Sequence, residues 1–135
     1  MNDLPALMHQ LLLTKPPLTA LIGAQGAPRL WAERAEPPTG YRPSQGYAIA
    51  FLLRGGLIDY SSVLMDSSWQ FKCYGVDEVE AQRLYRTLFA AINDKPAYHF
   101  RSLSVGFPRT MYEQDKGWPY VLTFVSSQAV IQEVS

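Results

Sequence analysis

The amino-acid sequence predicts an α+β fold: a mainly antiparallel sheet of about four to five strands, with two helices packed against it, in one domain over residues 1–135. Three observations carry this. Residues 68–93, SWQFKCYGVDEVEAQRLYRTLFAAIN, change from a period of two to a period of 3.6 across a single glycine, which marks a strand followed by a helix. The apolar run YAIAFLLR at 47–54 has strand length and is followed by Gly55-Gly56, a hairpin signal. At 135 residues the chain is also the right size to bury one core.

In chain order, Leu4, Leu7, Met8, Leu11 and Leu12 recur at helical spacing, so residues 4–14 form an amphipathic helix, with Asp3 as N-cap and Pro5 in its first turn. Lys15-Pro16-Pro17 stops it, and residues 18–22 add one more helical turn before the Gly- and Ala-rich loop that ends at Pro28. Leu30-Trp31 is a brief strand. Residues 33–46 hold Pro37, Pro38, Gly40, Pro43 and Gly46 among few apolar residues, so a long irregular loop is expected there, of the kind that carries contacts.

The apolar strand at 47–54 is expected to turn at Gly55-Gly56 and return as a second strand over 57–65, with Asp66-Ser67 turning the chain again. In the next strand Trp69, Phe71 and Cys73 alternate with Gln70, Lys72 and Tyr74 and define one strongly buried face. Asp77 then caps a helix, and Glu80 completes a carboxylate version of the capping box. Ala81, Leu84, Tyr85, Leu88, Ala91 and Ile92 form the apolar stripe of that helix. Lys95-Pro96 ends it. A long strand over 98–112 slips its alternation near Ser102 and bends at Gly106 to Pro108. After a turn at Asp115-Lys116-Gly117, residues 120–125 form the last clear strand, and 127–135 are a C-terminal extension.

Composition narrows the function classes. Twelve basic residues balance twelve acidic ones, so bulk charge draws the chain neither to nucleic acid nor to an anionic membrane. Only 18% of residues are charged against 47% hydrophobic, a sparse charged surface that suggests apolar area meant for a partner. The single cysteine, Cys73, falls on the buried strand face, which excludes a disulfide framework and fits a reducing compartment. No apolar run reaches the length of a membrane span, and Met1-Asn2-Asp3 is unlike a basic signal region, so a chain made and kept in the cytoplasm, or built there into something larger, is expected.

Catalytic chemistry finds little footing, and neither an enzyme nor a cofactor or metal is expected. His9, Cys73 and His99 show no metal-ligand spacing. There is no nucleophile elbow, and Cys73 reads as core filler. Gly23-Ala24-Gln25-Gly26 lacks both the dinucleotide and the Walker spacing. Asp77, Glu78 and Glu80 crowd a helix N-terminus, where the helix dipole alone accounts for them.

Arg42, Arg54, Arg101 and Arg109 lie among Tyr41, Tyr47, Phe100 and Phe107. Such mixtures hold single nucleic-acid strands, and they are also enriched at protein interfaces; neutral net charge favours the protein partner. Trp118, between Gly117 and Pro119, is either a contact aromatic or a cap on its own turn.

Four stretches in order carry a family resemblance: PPLTALIG at 16–23 after the leucine helix, RLW at 29–31, YAIAFLL at 47–53 and WQFKCYGVDEVEAQRLYRTLFAAI at 69–92. Their order and spacing resemble the tail-completion, or tail-terminator, proteins of long-tailed bacteriophages; one departure is Gln45-Gly46 where that family often carries Leu-Pro. The resemblance implies a structural virion protein that forms a ring, a hexamer by analogy, at the head-proximal end of the tail, assembled in the host cytoplasm. Such a ring ends tube growth and offers the surface on which the head docks. Its partners would be further copies of itself, the tail-tube protein and a head-completion or connector protein, with DNA passing through and no sequence-specific nucleic-acid contact. Interface residues expected on this basis are Arg42, Tyr47, Arg101, Phe107, Arg109 and Trp118. Two alternatives stay open: another head–tail connector subunit of the same fold, and a small ligand-binding domain or minor enzyme, for which His99, Arg101 and Asp59 are the polar candidates.

Overall fold

A computed structural model describes residues 4–23, 28–58, 64–95 and 100–130. The chain is α+β, and among the described residues three α-helices lie on one face of a mixed six-stranded sheet. Helix α1 (Leu4–Leu13) buries Leu4, Met8 and Leu12, the spacing that its leucine pattern sets. Asp3, expected to cap it, lies outside the described residues. Pro16 and Pro17 end α1 and also open α2 (Pro16–Ile22), because proline's missing N–H costs nothing in a first turn. The single helical turn expected at 18–22 is thus a short second helix that buries Leu18 and Ile22.

Strand β1 (Leu30–Ala32) pairs in parallel with β2 (Ala48–Ile58), and β2 pairs antiparallel with β3 (Leu64–Tyr74). Here the structure corrects the expected meander. Gly55 and Gly56 are no hairpin turn but lie within β2, opposite Ser68 and Ser67, just after a register shift between Leu53 and Gly55. The glycines accommodate a bulge where the backbone must bend. Asp66 and Ser67 are likewise inside β3, opposite Gln128 and Ser127 of β6 (Pro119–Val130). Three expected short strands are two long ones, and the connection between them falls at 59–63, outside the described residues. Asp66 suggested a turn because the helix-free face of the sheet is open to water here and Asp66 and Ser68 line it, whereas Ser67 is a buried serine on the face of Trp69.

Helix α3 (Glu78–Ile92) has the expected N-cap: Asp77 Oδ1 accepts from the Glu80 N–H at 2.9 Å. Glu80 does not complete a capping box. Its carboxylate accepts from the Tyr47 hydroxyl and lies 3.5 Å from Arg83 Nε. Gly75 owes its identity to α3: a Cβ there would sit 2.4 Å from the Ala81 nitrogen.

The expected long strand after α3 is β4 (Phe100–Val105) and β5 (Arg109–Tyr112), broken at the anticipated bend and both paired to the same edge of β6. A register shift between Phe100 and Ser102 marks the slip in alternation. β6 runs on past Val125 to Val130, so the start of the expected C-terminal extension is sheet; residues 131–135 are not described.

The core between sheet and helices is built on Ile49, Phe51, Trp69, Phe71, Leu84, Leu88 and Val121, all fully buried. Phe51 and Phe71 stack at 5.0 Å, an arrangement that adds about 0.5–1.5 kcal/mol to the burial of each ring. Trp69 is fully buried on the same face, and its indole N–H donates to Ser127 Oγ at 2.8 Å.

Candidate functional site

The helix-free face of the sheet divides in two. At one end Tyr41, Ala48, Ala50, Tyr74 and Tyr120 form a second buried cluster, with Trp31, Met111, Trp118 and Leu122 packed against it. Tyr41 is its centre: its ring meets Trp31 at 5.4 Å and Trp118 at 5.7 Å edge-on, and its hydroxyl donates to the Gly46 carbonyl at 2.7 Å. The Tyr41 ring, with the Arg34 N–H donating to the Phe51 carbonyl at 3.2 Å and Glu33 Oε1 accepting from the Leu53 N–H at 3.2 Å, lays the 33–46 loop onto the sheet. Burial pushes the Tyr41 hydroxyl well above its ordinary pKa. Tyr74 shifts the same way, through burial first and then the Glu113 carboxylate that accepts from its hydroxyl at 3.0 Å. Glu113 also pairs with Lys72 at 3.2 Å, and the Lys72 ammonium stands 4.7 Å from the Tyr120 ring centroid. At the other end Asp66, Ser68, Ser102, Ser104, Ser126 and Gln128 line an open trough of about 460 Å³.

The six interface residues expected from the sequence separate into two groups. Tyr47 and Trp118 are half-buried and engaged inside the subunit. The Tyr47 hydroxyl donates to Glu80, and that bond raises its pKa. Trp118 closes the aromatic cluster, with the Lys116 ammonium 4.6 Å from its ring. Arg42, Arg101, Phe107 and Arg109 are exposed. Arg101 and Arg109 are on β4 and β5, the edge strands of the sheet, and Phe107 stands 95% exposed between them.

The exposure of Phe107 is built in. The Gly106 carbonyl accepts from Tyr85 Oη at 2.6 Å and from Thr123 Oγ1 at 3.1 Å, while its N–H donates to the Phe124 carbonyl at 2.8 Å. Gln82 Nε2 donates to Thr110 Oγ1 at 3.0 Å, and Asn93 Oδ1 accepts from the Val105 N–H at 2.8 Å. The kink between β4 and β5 is therefore clamped to α3 on both sides, and the residue after Gly106 turns outward. Phe89 and Tyr112 are also exposed, Phe89 on α3 and Tyr112 at the end of β5, as are Val76 and Val79 at the start of α3. Sequence spacing could not single these out, since each sits in an element whose other face is core.

The other chemical candidates are engaged in structure. His9 Nε2 is 3.2 Å from the Leu30 carbonyl oxygen. Cys73 is fully buried, and burial pushes its thiol up to about 12, so it is held as the unreactive thiol. His99 and Asp59, candidates for a ligand pocket, lie outside the described residues, as does most of the Gly23–Gly26 loop sequence. Among the described residues no three His, Cys, Asp or Glu side chains gather as a metal site, and no helix is long and apolar enough to cross a membrane. No protein-family model matches the chain, and no curated protein matches it.

Proposed function

We propose that this protein is a structural virion subunit that forms a ring at the head-proximal end of a bacteriophage tail, ends tube growth and presents the head-docking surface. The supporting observation is the flank formed by α3 and the β4–β5 edge. An edge strand with unpaired backbone groups, a 95%-exposed phenylalanine held out by a clamped kink and two exposed arginines are features of a surface meant for another protein. A ring requires heterologous contacts, one face of each subunit meeting a different face of its neighbour, and a flank on one side of the domain suits that requirement. The order of sequence features shared with tail-terminator proteins supplies the biological setting.

Light scattering on a sizing column across a range of concentrations tests the reading. A discrete ring-sized oligomer is expected, and Phe107→Ser should shift it toward monomer while thermal stability stays within about 0.5 kcal/mol, as for other exposed positions. A monomer at every concentration, with no association on purified tail tubes, refutes the ring. It would turn attention to the ligand-binding alternative.

A further inference from the structure

The opposite flank of α3 carries a second surface. Between α2 and α3 lies a groove of about 570 Å³ with Lys15, Arg83, Arg86 and Lys95 on its rim and Pro17 and Ala90 among its apolar lining. In a chain of zero net charge this is a local concentration of cations. Arg83 has Glu80 at 3.5 Å, and Lys95 Nζ donates to the Ala90 carbonyl at 2.6 Å. Among the described residues neither Lys15 nor Arg86 has an ion-pair partner. Among the described residues no aromatic ring lines the groove, so there a nucleic acid would find phosphate contacts but no ring on which to stack its bases. Cations around an apolar lining suit a protein segment that is both acidic and apolar.

The chain itself displays such a segment. At the start of α3, Val76 and Val79 are 61% and 65% exposed, with Asp77 and Glu78 between them also exposed. Acidic residues there are explained by the helix dipole. The two valines in water are not. Val79, Arg83, Arg86 and Ala90 share the solvent face of α3, so this face runs from acidic and apolar at its beginning to basic at its end.

We infer that residues 76–79 of one copy seat in the Lys15–Arg86 groove of the next, a head-to-tail contact between identical subunits. A symmetric alternative, two α3 helices packed antiparallel on these faces, is disfavoured: aligning Val79 with Ala90 also sets Arg83 of each copy against Arg86 of the other. Like charges would meet at its centre. The offset seating avoids this and leaves a groove and a segment free at the two ends, so the contact propagates from copy to copy, as a ring where the rotation per step closes and as an open filament where it does not. The inference rests on the ring reading for closure.

Sedimentation velocity of wild type, Glu78→Lys, Arg86→Glu and the double variant tests it. Among the described residues Glu78 accepts no side-chain bond and Arg86 has no partner, so neither reversal breaks a side-chain bond within the subunit; Glu78→Lys gives up only its favourable place at the N-terminus of α3, about 0.3–1 kcal/mol, and circular dichroism melts verify the fold. Each single reversal is expected to raise the assembly midpoint at least about tenfold, and the double variant to return it to within about threefold of wild type. Single reversals that leave the oligomer unchanged overturn this contact while the ring stands. A double variant as dissociated as the singles also overturns it. A wild type that is monomeric throughout overturns the contact, and the ring then falls as well if purified tail tubes recruit none of the protein.

Discussion

Gly75→Ala isolates the junction on which the two halves of the fold meet. An added Cβ would lie 2.4 Å from the Ala81 nitrogen, 2.7 Å from the Glu80 carbonyl carbon and 3.0 Å from the Ala81 Cα, whereas ordinary contact begins at 3.4 Å. Backbone must therefore retreat by about 1 Å, the difference between 3.4 and 2.4 Å. No flexible side chain is available to yield. The first turn of α3 is held by the Asp77 cap, by Tyr47 on Glu80 and by the fully buried Ala81, so the shift disturbs three attachments together. Overpacking typically costs about 1–3 kcal/mol, and a clash wholly against backbone belongs at the upper end, about 3 kcal/mol. For a domain of this size that is about 10–15 °C in Tm. Gly40→Ala is the control: nothing lies within 4 Å of its Cβ, and the change should be neutral or raise stability by a few tenths of a kcal/mol through the unfolded chain, up to about 1 kcal/mol. Thermal and urea denaturation of both variants decide the matter. A Gly75→Ala protein within about 3 °C of wild type, or indistinguishable from Gly40→Ala, refutes the close-approach argument.

Two further outcomes follow from the core. Ser127→Ala removes the acceptor for the buried Trp69 N–H, which should cost about 1–3 kcal/mol, and combining it with Trp69→Phe should cost less than the sum of the two single changes; strict additivity in urea unfolding would deny the bond an energetic role. Stability should also fall on the alkaline side. Burial raises the Cys73 thiol from 9.0 to about 12, and Tyr41 and Tyr74 shift the same way, so above about pH 9 the unfolded chain gives up protons that the folded one retains. Their contribution is complete below the unfolded pKa values and is lost as pH rises through the window toward the folded ones. Urea midpoints measured from about pH 8 to pH 11 should decline, with a shallower slope for Cys73→Ala; a flat profile for wild type would contradict the burial of these groups.

Much of the fold was legible in residue spacing. The α3 stripe and the inward alternation of Trp69, Phe71 and Cys73 are local periodicities, and burial follows them except at Ala91, which is only partly buried, and at Tyr74, which is buried on the opposite face of the sheet. The bend at Gly106 and the slip near Ser102 were legible too, because each interrupts such a periodicity. The outer ends of β2, β3 and β6 were not legible, since Gly55-Gly56 and Asp66-Ser67 have the composition of turns and the residues after Val125, among them Ser126 and Gln128, that of an extension. Their strand conformation is set across the sheet, by pairs such as Gln128 Nε2 on Asp66 Oδ1 at 3.0 Å.

The candidate surfaces divide in the same way. That Phe107, Arg101 and Arg109 lie on a bent edge could be read from the chain, because a proline and a glycine within an apolar strand already limit its pairing. That Trp118 and Tyr47 are engaged within the subunit could not, since their partners Tyr41 and Glu80 are 77 and 33 positions away. The groove between α2 and α3 and the exposed valines that match it are equally invisible in sequence. Periodicity determines which side of an element is buried, through the local geometry of helix and strand. Which exposed sides come together as a surface is decided only when distant elements pack.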